Sequence, residues 1–502
     1  MSHLNSESVI GVIGAGTMGA GIAQVAAKAG HPVLLFDAMD GAGQRGLDNI
    51  ASGLARLVSK GKMSQTDVDT LVGRIQVINS LNDMAPAALV VEAIVERLDI
   101  KQQVFGELET ICADNTILAS NTSSISITAI GAKLQRPQNL VGMHFFNPAP
   151  IMKLVEVISG LDTDPAVAES IYALSAAWGK KPVHAKSTPG FIVNRVARPF
   201  YAEGMRVVQE GGTDFATMDA LLKQCGGFRM GPFELMDLIG HDVNYAVTTS
   251  VFAAYYNDPR FQPSLLQLEL VNAGHLGRKT GKGFYNYAAN TDAPEPRTAA
   301  AGTAPRSVIV EGNLGVAEPL VELIEAAGIP LTRVEGNGRL RVDDATLILT
   351  NGQFSTRRAT KQGNRNLIQF DLALDYNNAS RIALAPADQA EQGAIDAAVG
   401  LFQALDKNVT LIDDIPGMAV MRTVAMLANE GFDAVNQGVC SEDAVDIAMQ
   451  GGVNYPCGPI SWARKIGLAK VLTVLDNLAR NYGEDRYRAS PLLRRKVAGG
   501  AA

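Results

Sequence analysis

The feature that most constrains the fold is a residue pattern that occurs twice at a constant separation. Pro189-Gly190 recurs as Pro416-Gly417, 227 positions later. The same separation relates further pairs: Arg195 and Arg422, Glu203 and Glu430, Gly211 and Gly438, Asp219 and Asp446, Gly231-Pro232 and Gly458-Pro459, and Gly240 and Gly467. Chance matches among common glycines and prolines are the alternative, but they would not keep one separation over roughly fifty residues. We infer two copies of one module.

Apolar segments alternate with helical patterns before each copy of this module. In the first third, strands are predicted at Val9–Ile13, Val33–Phe36, Leu89–Val91, Ile117–Ala119, Leu140–His144 and Leu154–Ile158. In the second half, they are predicted at Val308–Val310, Ala345–Leu349, Leu367–Phe370, Ile382–Leu384 and Val409–Ile412. Strands that alternate with helices are typical of a doubly wound, mostly parallel sheet.

These changes of pattern predict the domain boundaries. We expect an α/β domain over residues 1–187, a helical domain over 188–287, a second α/β domain over 307–413 and a second helical domain over 414–502. Residues 288–306 are rich in Ala, Pro and Thr, and this composition predicts an exposed linker.

The composition excludes several classes of protein. Of the 502 residues, 47% are hydrophobic and 19% are charged, as in globular proteins. The net charge of −7 argues against a broad surface for nucleic acid or for an anionic membrane. No apolar run reaches the roughly 20 residues of a membrane span. Four cysteines without close pairing (Cys112, Cys225, Cys440 and Cys457) indicate neither a disulfide framework nor a zinc site, and we expect a cytoplasmic protein without a bound metal.

A glycine-rich turn follows the first predicted strand and opens a helix. Its sequence is Gly14-Ala15-Gly16-Thr17-Met18-Gly19, in which the glycines permit a tight turn, close approach of a pyrophosphate and close helix–strand packing. Asp37 ends the second strand, 21 residues after Gly16, where a carboxylate can bind ribose hydroxyls and would repel a 2′-phosphate. The pattern predicts a Rossmann domain that binds NAD rather than NADP.

The second α/β domain lacks this spacing. Its corresponding turn reads Val310-Glu311-Gly312-Asn313-Leu314-Gly315. We therefore expect a degenerate Rossmann-like domain that binds no dinucleotide.

A histidine and a glutamate occur on neighbouring predicted strands. Period-two alternation places Glu156 on the same face as Leu154 and Ile158, which are apolar. A carboxylate among aliphatic side chains needs a partner, and His144 is the candidate. Held by Glu156 through one ring nitrogen, His144 would present the other nitrogen to a substrate as a general base. The alternative is an exposed Glu156 at a sheet edge with an unrelated His144.

Six short motifs occur in order between residues 14 and 195. They are Gly14-x-Gly16-x-x-Gly19, Val91-Glu92-Ala93-Ile94-Val95-Glu96, Ala119-Ser120-Asn121-Thr122-Ser123-Ser124, His144-Phe145-Phe146-Asn147-Pro148, Lys153-Leu154-Val155-Glu156-Val157 and Thr188-Pro189-Gly190-Phe191-Ile192-Val193-Asn194-Arg195. Together they closely resemble the L-3-hydroxyacyl-CoA dehydrogenases of β-oxidation, over residues 8–287. The full length resembles the long bacterial subgroup, which includes 3-hydroxybutyryl-CoA dehydrogenases and the 3-hydroxyadipyl-CoA dehydrogenase of phenylacetate degradation.

The resemblance implies roles for individual residues. His144 would be the general base, Glu156 would orient it, and Ser123 and Asn194 would hold the substrate. The residues that match NAD-contacting positions of the family are Glu96, Lys101, Asn121, Asn147 and Lys279, besides Gly14, Gly16, Thr17, Met18, Gly19 and Asp37. Lys60 and Lys62 fall where family members contact CoA phosphates, although a solvated lysine pair is an equal alternative.

The repeat also predicts a difference between its copies. The separation of 227 takes Asn194 to Met421, whose side chain cannot replace the hydrogen bonds of an amide. We expect one active site per chain and a homodimer that acts on an acyl-CoA. Two alternatives remain: a β-hydroxyacid dehydrogenase, which uses a lysine absent from the Asn194-Arg195 junction, and a non-catalytic NAD-binding protein on the same fold.

Overall fold

A computed structural model describes residues 4–289 and 291–500 of the chain. Residue 290 of the predicted linker and the outermost residues of the first and last predicted domains lie outside the described residues. No helix in the described ranges combines the length and the apolar character needed to cross a membrane.

The first sheet is built from eight strands between residues 10 and 186. They are β1 (Ile10–Ile13), β2 (Val33–Phe36), β3 (Ile75–Val77), β4 (Leu89–Glu92), β5 (Ile117–Ser120), β6 (Leu140–Phe145), β7 (Leu154–Ser159) and β8 (Lys181–Lys186). Their spatial order is β3-β2-β1-β4-β5-β6-β7-β8, and every pair is parallel except β6 with β7. Strands β1, β4 and β5 are buried along their whole length, as expected where helices cover both faces of a parallel sheet.

The second sheet has seven strands and a more mixed topology. They are β9 (Val308–Glu311), β10 (Leu331–Val334), β11 (Arg339–Val342), β12 (Ala345–Leu349), β13 (Leu367–Phe370), β14 (Arg381–Pro386) and β15 (Asn408–Leu411), in the order β10-β9-β11-β12-β13-β14-β15. Strand β11 runs antiparallel to both of its neighbours, and β13 runs antiparallel to β14. The mostly parallel arrangement is thus confirmed for the first sheet and holds only in part for the second.

Helices follow the strands and form the two repeated modules. Those that accompany the first sheet are α1 (Thr17–Lys28), α2 (Ala42–Ser59), α3 (Gln65–Val72), α4 (Leu98–Ile111), α5 (Ile127–Gly131) and α6 (Pro165–Ala177). The first module contains α7 (Val193–Val196), α8 (Arg198–Gln209), α9 (Phe215–Gln224), α10 (Pro232–Ile239), α11 (His241–Ala254) and α12 (Leu265–Asn272). The second sheet is accompanied by α13 (Pro319–Ala326), α14 (Ser355–Gln362) and α15 (Gln392–Ala404). The second module contains α16 (Val420–Asn436), α17 (Glu442–Val453), α18 (Pro459–Ile466), α19 (Leu468–Tyr482) and α20 (Pro491–Ala498).

The chain divides into two compact units that each combine distant segments. One unit contains Met1–Arg195 and Gln437–Val453, so that α17 of the second module packs against β7 and β8 of the first sheet. The other contains Val196–Asn436 and Asn454–Ala502, and within it α8 packs against α16. Helices α8 and α16 occupy corresponding positions in the two modules. Their contact therefore pairs the two repeated modules within one chain.

Candidate active site

The glycine-rich turn connects β1 to the start of α1. A Cβ atom on Gly19 would lie 1.7 Å from the carbonyl oxygen of Gly14, so the helix can approach the turn this closely only with glycine. A Cβ atom on Gly16 would meet nothing within 4 Å. Thr17 is exposed and Met18 is half-buried in the first turn of α1. The open space above Gly16 and the helix N-terminus behind it fit the pyrophosphate of a dinucleotide.

Asp37 lies beside this turn at the end of β2. Its Oδ2 accepts a hydrogen bond from the N–H of Ala15 at 2.7 Å, and its Oδ1 accepts one from Met39 at 2.9 Å. The side chain is only partly buried. The structure therefore places the Asp37 carboxylate, a hydrogen-bond acceptor, beside the turn as the sequence predicts. Its contact with a ribose stays a prediction.

His144 and Glu156 face each other across the antiparallel pair β6–β7. Their Cα positions are direct partners in the register, and His144 Nδ1 lies 2.6 Å from Glu156 Oε2. His144 is 6% exposed and Glu156 is fully buried. The alternative of an exposed glutamate with an unrelated histidine is wrong, because burial leaves the carboxylate no partner in water.

The second carboxylate oxygen of Glu156 fixes the start of α7. Glu156 Oε1 accepts hydrogen bonds from the N–H groups of Ile192 and Val193, both at 3.0 Å. Asn194, the next residue, is thereby placed close to the His144–Glu156 pair, and its Nδ2 lies 3.5 Å from the carbonyl oxygen of Ser123. Because both Glu156 oxygens are engaged, the carboxylate is held in one orientation toward the imidazole.

The turn that carries Ser123 is held by a second carboxylate. Glu96 accepts hydrogen bonds from Thr122 Oγ1 at 2.6 Å, from the N–H of Ser123 at 3.0 Å and from Ser124 Oγ at 2.9 Å. Burial opposes ionisation of Glu96, but the hydrogen bond from Thr122 and the charge of Lys101 lower its pKa below the ordinary value. An ionised Glu96 thus orders the turn around Ser123.

Lys101 is placed behind this turn rather than in solvent. It is 1% exposed, and its Nζ lies 2.6 Å from Glu92 Oε1 and 3.3 Å from Glu96 Oε2. Sequence reasoning gave no role to Glu92, which is fully buried and also accepts a hydrogen bond from Ser120 Oγ at 2.7 Å. The only sequence feature that could have indicated a role for Glu92 is its position as an acidic residue at the end of an apolar strand. Direct contact of Lys101 with a cofactor stays a prediction.

The other predicted contact residues occupy different parts of the fold. Asn121 Oδ1 accepts a hydrogen bond from the N–H of Phe145 at 2.8 Å and so joins β5 to β6 beside His144, whereas Asn147 is exposed after β6. Lys60 and Lys62 are exposed at the end of α2. Lys279 belongs to the other compact unit, where its Nζ lies 2.7 Å from Asp242 Oδ2.

Residues 437–453 pack against β7, which carries Glu156, and against the edge strand β8, and the sequence analysis did not predict this. Arg195 Nη1 donates to Gln437 Oε1 at 2.9 Å, and the N–H of Lys186 donates to the carbonyl of Val439 at 2.9 Å. A Cβ atom on Gly452 would lie 2.6 Å from the side chain of Leu154 on β7. These contacts join residues more than two hundred positions apart, and no local sequence pattern predicts them.

Three family models match the chain. A model described as "3-hydroxyacyl-CoA dehydrogenase, NAD binding domain" matches residues 9–188, and one described as "3-hydroxyacyl-CoA dehydrogenase, C-terminal domain" matches residues 190–287 and again 417–502. A model described as "3-hydroxybutyryl-CoA dehydrogenase reduced Rossmann-fold domain" matches residues 347–416. These matches confirm the prediction of a Rossmann-type domain, a helical C-terminal domain and a second sheet domain.

Individual proteins are similar over the whole chain or over its first part. The chain is 42% identical over 489 residues to 3-hydroxyadipyl-CoA dehydrogenase of Escherichia coli (strain K12), which covers 97% of each chain. A probable 3-hydroxybutyryl-CoA dehydrogenase of Bacillus subtilis (strain 168) is 42% identical over 280 residues, 56% of this chain and 97% of that protein. The crystal structure of 3-hydroxybutyryl-CoA dehydrogenase from Escherichia coli K12 superposes with a TM-score of 0.90 at 41% identity, covering 99% of this chain and all of that one.

Proposed function

The chain belongs to the 3-hydroxyacyl-CoA dehydrogenase family of NAD-dependent enzymes, and we propose that His144 and Glu156 carry its proton transfer. The reaction would interconvert (S)-3-hydroxyacyl-CoA and 3-oxoacyl-CoA. One observation supports this most strongly: a buried carboxylate oxygen lies 2.6 Å from Nδ1 of a histidine whose Nε2 makes no hydrogen bond with the described residues.

The contacts of each side chain in the site support a particular role in the reaction. The turn around Gly16 would hold NAD, which when bound would supply the acceptor for the hydride that leaves C3. His144 Nε2 takes the proton of the 3-hydroxyl, and Glu156 stabilises the imidazolium that results. The Ser123 hydroxyl and the Asn194 amide donate hydrogen bonds to the oxygen at C3, which develops carbonyl character. A base of this kind contributes about 10²–10⁴-fold to the rate.

The acyl group is proposed to be short or dicarboxylic, with 3-hydroxybutyryl-CoA and 3-hydroxyadipyl-CoA as the two candidates. The relatives support both candidates, because one similar protein is a 3-hydroxyadipyl-CoA dehydrogenase and others are named 3-hydroxybutyryl-CoA dehydrogenases. Lys60 and Lys62 are proposed to meet CoA phosphates, because both are exposed cations near the end of α2. A charge-reversing Lys60→Glu variant should raise KM for an acyl-CoA, and an unchanged KM would exclude that contact.

The predicted boundaries at residues 187, 287, 306 and 413 are proposed as the limits of four structural domains. A homodimer with one active site per chain is proposed as the assembly, and sedimentation equilibrium tests it.

The experiment for the proton-transfer role is to replace the histidine and follow NADH formation from 3-hydroxybutyryl-CoA. His144→Gln should lower kcat by orders of magnitude with little effect on NADH binding, because the glycine turn is left intact. His184→Gln is the matched control, since this histidine has a 47% exposed side chain on β8 and should retain wild-type kcat. Near-normal turnover by His144→Gln would refute the role.

A further inference from the structure

The His144–Glu156 pair is held in position by three neighbouring residues. The ring of Phe146 packs against the imidazole with the two ring centroids 4.5 Å apart. Val193 donates its N–H to Glu156 Oε1 at 3.0 Å, and Leu154 lies two residues before Glu156, on the same face of β7. A displacement of any of these three residues would therefore be passed on to the imidazole or to the carboxylate that orients it.

One glycine of the second module lies beside all three neighbours. Gly452 is buried near the end of α17, in the compact unit that contains His144. A Cβ atom on it would lie 2.6 Å from Leu154 Cδ2 and 3.2 Å from Val193 Cγ2, with Phe146 Cε1 at 3.6 Å. Contacting carbon atoms lie about 3.5–4.0 Å apart, so the first distance is a collision and the second is too tight. Because Leu154 is fully buried, its methyl group has no free space to move into.

The preceding glycine shows that this restriction applies to one position only. A Cβ atom on Gly451 would lie 3.5 Å from the Cβ of Leu154 and 3.8 Å from its backbone, which are ordinary contacts. Both glycines belong to α17, and neither has a positive φ. The backbone conformation therefore permits alanine at both residues, and only the space beside Gly452 disfavours it.

The first module, whose α9 packs against β14 of the second sheet, carries a side chain at the corresponding position. The separation of 227 relates Gly452 to Cys225, which is buried and donates from Sγ to the carbonyl oxygen of Leu372 at 3.1 Å. The same separation relates Phe146 to Ala373. A phenylalanine with a glycine at the first sheet is thus exchanged for an alanine with a cysteine at the second. The glycine therefore accompanies the ring that packs against the imidazole.

We propose that Gly452 is a positioning residue for the base, an inference that rests on the proposed function. Because Gly452 has no side chain, the end of α17 approaches β7 closely while Leu154 and Val193 keep the places that fix Glu156. Gly452 follows Glu156 by 452 − 156 = 296 positions. The second module thus contributes to the geometry of proton transfer through packing, without a functional group of its own at this position.

The deciding measurement is kcat for NADH formation from 3-hydroxybutyryl-CoA, together with the dissociation constant of NADH. Gly452→Ala should lower kcat about tenfold, since misplacing a catalytic group by about 1 Å can cost about 100-fold. The dissociation constant should stay unchanged, because the glycine-rich turn belongs to β1 and α1. Gly451→Ala is the matched control and should keep wild-type kcat, since it makes the same change in helix propensity one residue away.

A second substitution tests whether the collision with Leu154 is the cause. Leu154→Val removes the Cδ atoms, and Cδ2 is the atom nearest to the new Cβ. The double variant Leu154→Val/Gly452→Ala should have a kcat within about twofold of that of Leu154→Val alone, because the two positions are coupled. Wild-type kcat in Gly452→Ala would overturn the proposal, as would a double variant that does not fold or that stays about tenfold slower. If Gly452→Ala alone does not fold, the comparison of the double variant with Leu154→Val carries the test.

Hydrogen exchange distinguishes failure of this proposal from failure of the proposed function. The N–H groups of Ile192 and Val193 donate to Glu156, so Gly452→Ala should speed their exchange while exchange in α1 stays unchanged. Mass spectrometry of the peptide that contains both residues measures this. Unchanged exchange would overturn the positioning role, whether or not the protein turns over the substrate. No turnover by the wild type, together with faster exchange in the variant, would refute the proposed function and support the positioning of Glu156 by Gly452.

Discussion

Two regions of the chain share one backbone arrangement and carry different side chains. In the first, antiparallel pairing of β6 with β7 sets His144 opposite Glu156. In the second, β13 and β14 are also antiparallel, and the N–H of Asp371 donates to the carbonyl of Ala383 at 3.1 Å. Asp371 follows His144 by 227 positions and Ala383 follows Glu156 by the same number, so the repeat extends back into the sheets. The position of His144, the proposed base, is an aspartate in the second region, and the position of Glu156 is an alanine.

The carboxylate is thus retained in the second region but changes its position. Glu156 accepts hydrogen bonds from the N–H groups of residues 192–193, and Asp371 accepts them from residues 419–420, again 227 positions later. Both carboxylates are fully buried. Since the contact is present without an imidazole, its structural role is to fix the helix that follows, and the proposed catalytic role of Glu156 is additional to it.

The glycine turns differ in a comparable way. Gly14 and Gly312 directly follow their strands, and a Cβ atom on either would lie close to a carbonyl oxygen, that of Ala93 at 2.5 Å or that of Gly336 at 2.2 Å. Two residues later the turns differ, because space is open around Gly16 whereas the second turn has the buried side chain of Leu314. Gly336 belongs to the connection between β10 and β11. The second turn therefore has a leucine side chain where the first has open space, which explains physically why we expect no dinucleotide there.

The largest expected effect comes from removing the charge of each carboxylate in turn. Glu156→Gln should lower kcat about 10²–10⁴-fold, because the imidazolium loses its counter-charge. Asp371→Asn should instead lower the free energy of unfolding by about 1–3 kcal/mol. The amide N–H of asparagine would then face backbone N–H groups from which the carboxylate of Asp371 accepts hydrogen bonds. Steady-state kinetics and denaturant unfolding of both variants measure this contrast.

A fall in kcat of Asp371→Asn as large as that of Glu156→Gln would break the comparison between the two regions. It would mean that the second region takes part in catalysis.

A smaller effect is expected at the glycine turns. Titration should find one NADH per chain, and Gly19→Ala should weaken NADH binding at least about tenfold, because its Cβ would collide with the carbonyl of Gly14. Gly53→Ala on α2 is the matched control, since a Cβ there meets nothing within 4 Å. Two NADH per chain would show that the turn around Gly312 also binds a dinucleotide.

Most strands of the two sheets and the His144–Glu156 pair could be predicted, because they depend on short-range patterns of apolar and polar residues. Period two along β7 predicted a buried Glu156 with His144 as its candidate partner, and the structure confirms both the burial and the contact across β6–β7. Strands β3, β8, β10 and β11 were missed. Strand β8 contains Pro182, which argues against a strand, and β10 is largely exposed, so it has no apolar signature.

The contacts that could not be predicted join distant parts of the chain. Burial of Lys101 depends on Glu92 from a neighbouring strand, and a lysine on a helix ordinarily predicts a solvated position. The packing of residues 437–453 against the first sheet depends on how the second module is placed in three dimensions. No periodicity within either segment encodes that placement.

The smallest expected effect concerns Glu96, which holds the turn around Ser123 from a loop that has no equivalent among the described residues of the second region. There the strand at the place of β4 is β11, which runs in the opposite direction, so no loop like that of Glu96 starts at the corresponding edge. Because the folded state lowers the pKa of Glu96, its stabilising contribution is present at neutral pH and is lost as the pH falls below the ordinary carboxyl value. Glu96→Gln should cost about 1 kcal/mol at pH 7, allowing for a side chain that is 37% exposed, and less at pH 4. Thermal unfolding of wild type and variant at both pH values measures the difference. A gap between the two proteins that widens toward acid would mean that Glu96 is held protonated, and the turn would then need another explanation for its order.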